Sequence, residues 1–121
     1  MDEQVKRALE RDRTIDITTT GRRSGLPRRL EIWFHNLDGT IYITGSPGTR
    51  DWYANLLAHP DFTFHLKQSA TADLPARATP ITEDGERRRV FQGLLPRMGR
   101  PAGDLETWVS RSPLVSVSFR A

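Results

Sequence analysis

The chain has 121 residues, a net charge of +3 from 18 basic and 15 acidic side chains, 36% hydrophobic residues and no cysteine. This length suits one domain, 1–121, with a core of its own, and the missing cysteines exclude disulfide frameworks, thiolate nucleophiles and Cys-ligated metals. No run of about twenty apolar residues exists and the first dozen residues lack an apolar signal core, which predicts a cytosolic protein without an integral membrane segment.

Val5, Ala8 and Leu9 sit at helical spacing among charged neighbours, predicting a short amphipathic helix within 1–12, with a barrel and its helices over 13–121. From Thr14 to Thr19 the period changes to two. Gly21 to Pro27 supplies turn residues and Arg29 to His35 alternates again, which predicts a hairpin. Asn36-Leu37-Asp38-Gly39 is a second turn, and Thr40 to Thr44 follows as the third strand of a meander. Its polar face carries Thr40, Tyr42 and Thr44, with Ile41 and Ile43 opposite. On the preceding strand Glu31, Trp33 and His35 share a face.

Gly45-Ser46-Pro47-Gly48 breaks the sheet, and Thr49 or Asp51 is predicted to cap a helix through Trp52, Leu56 and Leu57 that ends near His59-Pro60. Asp61 to Lys67 alternates as a strand, and another is expected over Ala76–Thr82, where Pro80 favours an edge or bulge. Val90, Phe91, Leu94, Leu95 and Met98 fit a helix that Pro96 should kink or end. Pro101 to Ser110 reads as a short helix with Trp108 and Val109 inward, and Leu114 to Phe119 as a final strand. The class is therefore mainly β (α+β): a small closed or half-open barrel of about six mostly antiparallel strands, with two to four helices plugging its ends.

The charge is unusual in kind, because 16 of the 18 basic residues are arginine, whose planar fork grips phosphate and carboxylate bidentately. Codon bias in a high-GC genome produces the same enrichment. The small net charge and the absence of a base-reading motif argue against nucleic acid. His35, His59 and His65 lack metal-ligand spacing, and no nucleophile elbow or phosphate-binding P-loop is present. Any chemistry is therefore expected from a bound cofactor rather than a reactive side chain or a metal.

Two segments point to an anionic ligand. Arg22, Arg23, Arg28 and Arg29 surround one hairpin turn, where they either converge on an anion or keep a solvated edge from aggregating. The loop Gly45–Arg50 leads into a helix whose first amides are unpaired, and Ser46, Thr49 and Arg50 add two hydroxyls and a charge suited to a phosphate. Alone, such a loop is equally a plain turn. Trp52 and Asn55 lie three apart on that helix and can share a side of the pocket, although tryptophan at helical spacing more often belongs to a core.

Together, Thr18-Thr19-Thr20-Gly21-Arg22-Arg23-Ser24-Gly25-x-Pro27-Arg28 and Trp52-Tyr53-x-Asn55-Leu56-x-Ala58-x-Pro60 resemble the deazaflavin-dependent nitroreductase family of split-barrel flavoproteins. The resemblance spans Asp16 to Leu66. It implies a split β-barrel of the FMN-binding type holding coenzyme F420, an 8-hydroxy-5-deazaflavin with a phosphate and an acidic polyglutamate tail. By the same resemblance Arg22, Arg23, Arg28 and Arg29 hold the phosphate and tail, Ser46 and Arg50 touch phosphate or ring, and Trp52 and Asn55 complete the wall. The implied reaction passes a hydride from reduced deazaflavin to a small acceptor such as a quinone, nitro compound or enone. Tyr42, Tyr53 and Ser46 are the candidate hydrogen-bond donors to that acceptor, and the protein is expected as a monomer or homodimer. Two departures stand out: Ser46-Pro47-Gly48-Thr49 replaces a Lys-Gly-Gly run, and no tyrosine follows Tyr53. The superfamily's FMN enzymes and its non-catalytic haem, biliverdin or fatty-acid binders are the alternatives.

Overall fold

The computed structural model describes residues 1–120. Its elements run α1 (Glu3–Arg11), β1 (Thr14–Thr20), β2 (Pro27–Trp33), β3 (His35–Leu37), β4 (Thr40–Thr44), α2 (Asp51–Ala58), β5 (Asp61–Leu66), β6 (Ala72–Pro80), α3 (Asp84–Arg97), a 3-10 turn at Ala102–Asp104, α4 (Leu105–Arg111) and β7 (Leu114–Phe119). Asp2 caps α1, its Oδ1 accepting from the Val5 amide at 2.9 Å, and Val5, Ala8 and Leu9 are buried on one face as their spacing predicts. In β1 the alternation holds: Ile15, Ile17 and Thr19 point inward, while Asp16 and Thr18 remain partly exposed.

The sheet is antiparallel with strand order β2-β1-β5-β6-β7-β4-β3. Its two edge strands are neighbours in sequence. Only Phe34 separates β2 from β3, so the edges come within about 7 Å of each other at that point and the sheet must curl back on itself. Phe34 is 2% exposed and packs edge-on against Phe64, with ring centroids 5.3 Å apart. The result is a half-barrel pinned at one corner by an aromatic side chain.

This pinning corrects the expected meander. Arg29 to His35 is not one strand, because β2 pairs with β1 only until Trp33 reaches Thr14, and the Phe34 amide then bonds the Arg13 carbonyl at 2.9 Å. Beyond Arg13 no ladder remains, so the chain crosses to β4 and the sheet gains a seventh strand. β6 begins at Ala72 rather than Ala76, since a tight return from β5 pairs Leu66 with Ala72. Pro75 is tolerated there because the β7 pairing starts only at Ala76, opposite Phe119.

The helices follow the predicted apolar spacing more closely. Val90, Phe91, Leu94 and Leu95 are buried, and α3 ends one residue after Pro96 with Gly99 at φ +69° completing its C-terminus. The core has two parts. One fills the barrel with Ile15, Ile17, Phe34, Ile43, Phe64 and their neighbours, and the other lies between α3, α4 and the outer side of β4. Between them the two parts bury both faces of β4: Ile41 and Ile43 face the barrel, and on the polar face Tyr42 is 4% exposed beneath α3 and α4 and Thr44 6%, its hydroxyl donating to the Pro113 carbonyl at 2.6 Å.

Candidate functional site

The turn between β1 and β2 is tightly organised. The Gly21 amide donates to the Leu26 carbonyl at 2.8 Å, Gly25 donates back to Gly21 at 2.9 Å, and the Ser24 hydroxyl accepts from the Leu26 amide at 3.1 Å. A Cβ on Gly21 would stand 2.4 Å from that hydroxyl and displace it, and Gly25 has φ +70°, a conformation that favours glycine. The turn projects Arg22, Arg23 and Arg28 around a cavity of about 550 Å³ that Asp51, Trp52 and Asn55 close from α2.

Asn55 locks the two segments together. It is 5% exposed; its Oδ1 accepts from the Arg22 amide at 3.0 Å, and its Nδ2 donates to Thr19 Oγ1 at 3.3 Å. Arg22 Nη1 also lies 3.6 Å from Asp51 Oδ1. Asn55 thus positions the arginine turn while lining the same cavity. Replacing Asn55 with Ala should destabilise the fold by about 1 to 3 kcal/mol in urea unfolding, since the partly buried Arg22 amide loses its acceptor. Asn55→Asp keeps the acceptor and should recover most of the loss; equal stability of the alanine variant and the parent would remove Asn55 from this role.

The helical period separates the other predicted residues. Asp51, Trp52 and Asn55 face the arginine turn, whereas Tyr53, Ala54 and Leu57 face the opposite way, into a third cavity of about 550 Å³ that Arg50 and Arg111 also line. Neither Thr49 nor Asp51 caps α2: its N-cap is Arg50, with no side-chain cap bond. Arg50 folds over its own loop, donating to the carbonyls of Thr49 at 2.9 Å and Ser46 at 3.0 Å. Strand alternation likewise divides Arg28 from Arg29. Arg29 reaches the rim, but its Nε is held by Asp16 Oδ2 at 3.0 Å in a surface network with Lys67 and Glu31. The hydrogen bond from Lys67 is the main reason the Asp16 pKa falls below its ordinary value.

Ser46 lines a different cavity, the largest of the three at about 670 Å³. Its walls come from the end of α1, the β2–β3 junction, the exit of β4 and the turn after α3, and they carry Trp33, His35, Arg97, Arg100 and Trp108. Motif reading missed this cavity because its residues come from separate parts of the chain. Tyr42 lines none of the three cavities.

Burial, reinforced by Arg13 and then Arg97, pushes His35 down from 6.5 to about 4. The folded state therefore favours the neutral ring, and this contribution is full above pH 6.5 and lost as pH falls toward 4. Between those limits the unfolding free energy should drop by about 3 kcal/mol on this account. His35→Asn should flatten the pH profile in that window, and an unchanged slope would refute the assignment.

A second polar chain was also missed. Thr18 Oγ1 lies 2.7 Å from His65 Nε2, and His65 Nδ1 lies 2.7 Å from Asp73 Oδ1, joining β1, β5 and β6 on the outer face. The order hydroxyl, imidazole, carboxylate is that of a hydrolase triad, but these residues line none of the three cavities. Among the described residues no cluster of His, Cys, Asp or Glu suits a metal. No helix of the described residues is long and apolar enough to cross a membrane.

The sequence profile described as F420H(2)-dependent quinone reductase matches residues 2–119. The chain belongs to the F420H2-dependent quinone reductase family. This F420H2-dependent reductase shares its split-barrel fold with several solved structures. One described as an F420 reductase aligns with a TM-score of 0.74 at 17% identity, over 100% of this chain and 97% of its own. A conserved hypothetical protein from Mycobacterium tuberculosis gives 0.72 at 21%, covering 100% and 82%. An F420-H2 dependent reductase, FDR-A, gives 0.65 at 21%, covering 88% and 95%.

The arginine cavity of this reductase suits an acidic cofactor. Arg23 and Arg28 have no carboxylate within ion-pair distance among the described residues, Arg22 has only the exposed Asp51, and the α2 N-terminus opens beside them without a side-chain cap.

Proposed function

We propose that this reductase passes a hydride from F420H2 to a quinone, or to a comparably activated nitro compound or enone, bound in the Ser46 cavity. The observation that carries this reading is the meeting of the arginine turn with the start of α2 around one cavity, beside a larger cavity entered from the same loop. Leu30 lines the first and Trp33 the second, three residues further along β2 and on the opposite face of that strand.

Arg22, Arg23 and Arg28 bind the phosphate and acidic tail, with the first amides of α2 adding their dipole. Trp52 forms the wall behind them. When bound, F420 supplies the hydride from C5 of the reduced deazaflavin ring. Ser46 is the one of the three candidate donors that lines the acceptor cavity, and its hydroxyl orients and polarises the acceptor oxygen. Trp33, Phe34 and Trp108 exclude water around it. Arg50 braces the Ser46 loop and contributes indirectly. The protein works in the cytosol as a monomer or homodimer, which light scattering distinguishes.

Titration with F420 and with FMN, followed by mixing with F420H2 and menadione, tests the reading. Tight F420 binding and oxidation of F420H2 by menadione support it. Preference for FMN, or binding without oxidation of F420H2, would replace it with a flavin enzyme or a non-catalytic binder.

A further inference from the structure

The Ser46 cavity has a charge pattern that quinone reduction does not require. Arg11, Arg13, Arg97 and Arg100 line it, and none has a carboxylate within ion-pair distance among the described residues. Two acids share the wall. Asp12 is occupied, its Oδ2 accepting from the Ser69 amide at 3.1 Å and its Oδ1 from the Ser69 hydroxyl at 2.7 Å, and Glu10 is exposed on α1. Arg97 gives one N–H to the Asn36 carbonyl at 2.6 Å, which fixes the guanidinium while leaving further donors available. Arg100 lies over the Trp108 ring at 5.7 Å, so its face is covered by the indole and its edge stays available for an anion. The fields of Arg13 and Arg97 reach His35 inside the cavity and help keep that ring neutral.

Such a cavity offers flat aromatic surface from Trp33, which is 53% exposed, beside guanidinium edges with no anion of their own. We infer that it selects acceptors that carry a carboxylate or sulfonate on an aromatic body, with Arg97 and Arg100 holding the acid and Trp33 stacking on the ring. The inference rests on the reductase reading only for the word acceptor; the binding preference stands on the cavity itself. An acid can also come from the cofactor's tail, but the arginine turn supplies that tail with its own grip, and Arg28, its nearest member on β2, stands five residues, about 17 Å, from Trp33 along the strand.

The probes are 1,4-naphthoquinone-2-sulfonate and menadione, with binding read by quenching of tryptophan fluorescence in the protein without F420. The sulfonate should bind at least tenfold more tightly at low salt, and the advantage should shrink severalfold in 0.5 M salt as the charges are screened. Arg97→Gln with Arg100→Gln should reduce the preference to less than threefold, and Arg100→Glu should reverse it, with circular dichroism confirming that each variant is folded. Equal binding of the two quinones by the parent protein would overturn the inference without any variant. So would a tenfold loss of F420 affinity in the double variant with sulfonate binding unchanged, because the two arginines would then serve the cofactor's tail. If the sulfonate is preferred but neither quinone oxidises F420H2, the reductase reading fails while the acid-binding cavity stands. If menadione oxidises F420H2 and no preference exists, only the inference fails.

Discussion

Arg87→Met should lower the unfolding free energy by about 3 to 5 kcal/mol, because several buried carbonyls lose one shared donor. Arg87 is 9% exposed and has no carboxylate partner within ion-pair distance among the described residues. Its guanidinium instead donates to backbone carbonyls: Nε to Val109 at 2.7 Å, Nη1 to Ile81 at 2.7 Å, and Nη2 to Ser112 and, at 3.4 Å, to Trp108. Val109 and Ser112 lie at the C-terminal end of α4, where carbonyls lack intrahelical donors and the helix dipole is negative, while the Trp108 carbonyl also accepts from the Ser112 amide at 3.0 Å. One cation thus solvates the end of α4 and ties it to α3 and to the residue after β6. Its face also lies 5.6 Å from the Phe91 ring centre. Methionine preserves much of the volume but leaves the carbonyls of Ile81, Val109 and Ser112 without this donor. Lysine should recover only part of the loss, because an ammonium cannot span carbonyls on two sides as a planar fork does. A loss below 1 kcal/mol in guanidinium chloride unfolding would show that other donors already satisfy these groups.

Arg22→Ala together with Arg28→Ala should weaken F420 binding by about 2 to 4 kcal/mol, or roughly 30- to 1,000-fold, measured by fluorescence titration. Both line the turn cavity, and among the described residues the exposed Asp51 is the only carboxylate within ion-pair distance of either. Arg29→Ala should change the affinity less than threefold. The sequence groups Arg29 with Arg28, but the pleat sends the two side chains to opposite faces, and Asp16 already compensates the Arg29 charge. Equal losses from Arg28→Ala and Arg29→Ala would refute this division of the grip. Salt should weaken binding to the parent protein more than to the double variant, since fewer ion pairs remain to be screened.

Much of the architecture was legible because it depends on short-range periodicity. The spacing of Val5, Ala8 and Leu9 gave α1 its buried face, the alternation from Thr14 gave β1, and Leu114 to Phe119 emerged as β7 with the expected bounds. The glycines and arginines of the first turn were readable for the same reason, since a tight turn is a local object. The motif Trp52-Tyr53-x-Asn55 was recognised, but the role of Asn55 was not. Its partners, Arg22 and Thr19, lie 33 and 36 residues away, and no local pattern distinguishes an amide that docks a turn from one that faces a ligand.

The sequence alone determined which residues share a strand face or helix stripe and where the basic charge concentrates, because bond geometry and side-chain period act between neighbours. Only the tertiary structure decided what each face meets. It covered Tyr42 with α3 and α4, turned Tyr53 and Arg50 away from the arginine cavity, and curled the two edges together at Phe34. It also built the largest cavity from segments that no motif connects. Periodicity specifies an orientation around a local axis, whereas burial and binding depend on which distant segment packs against that orientation, and this is fixed only when the barrel closes.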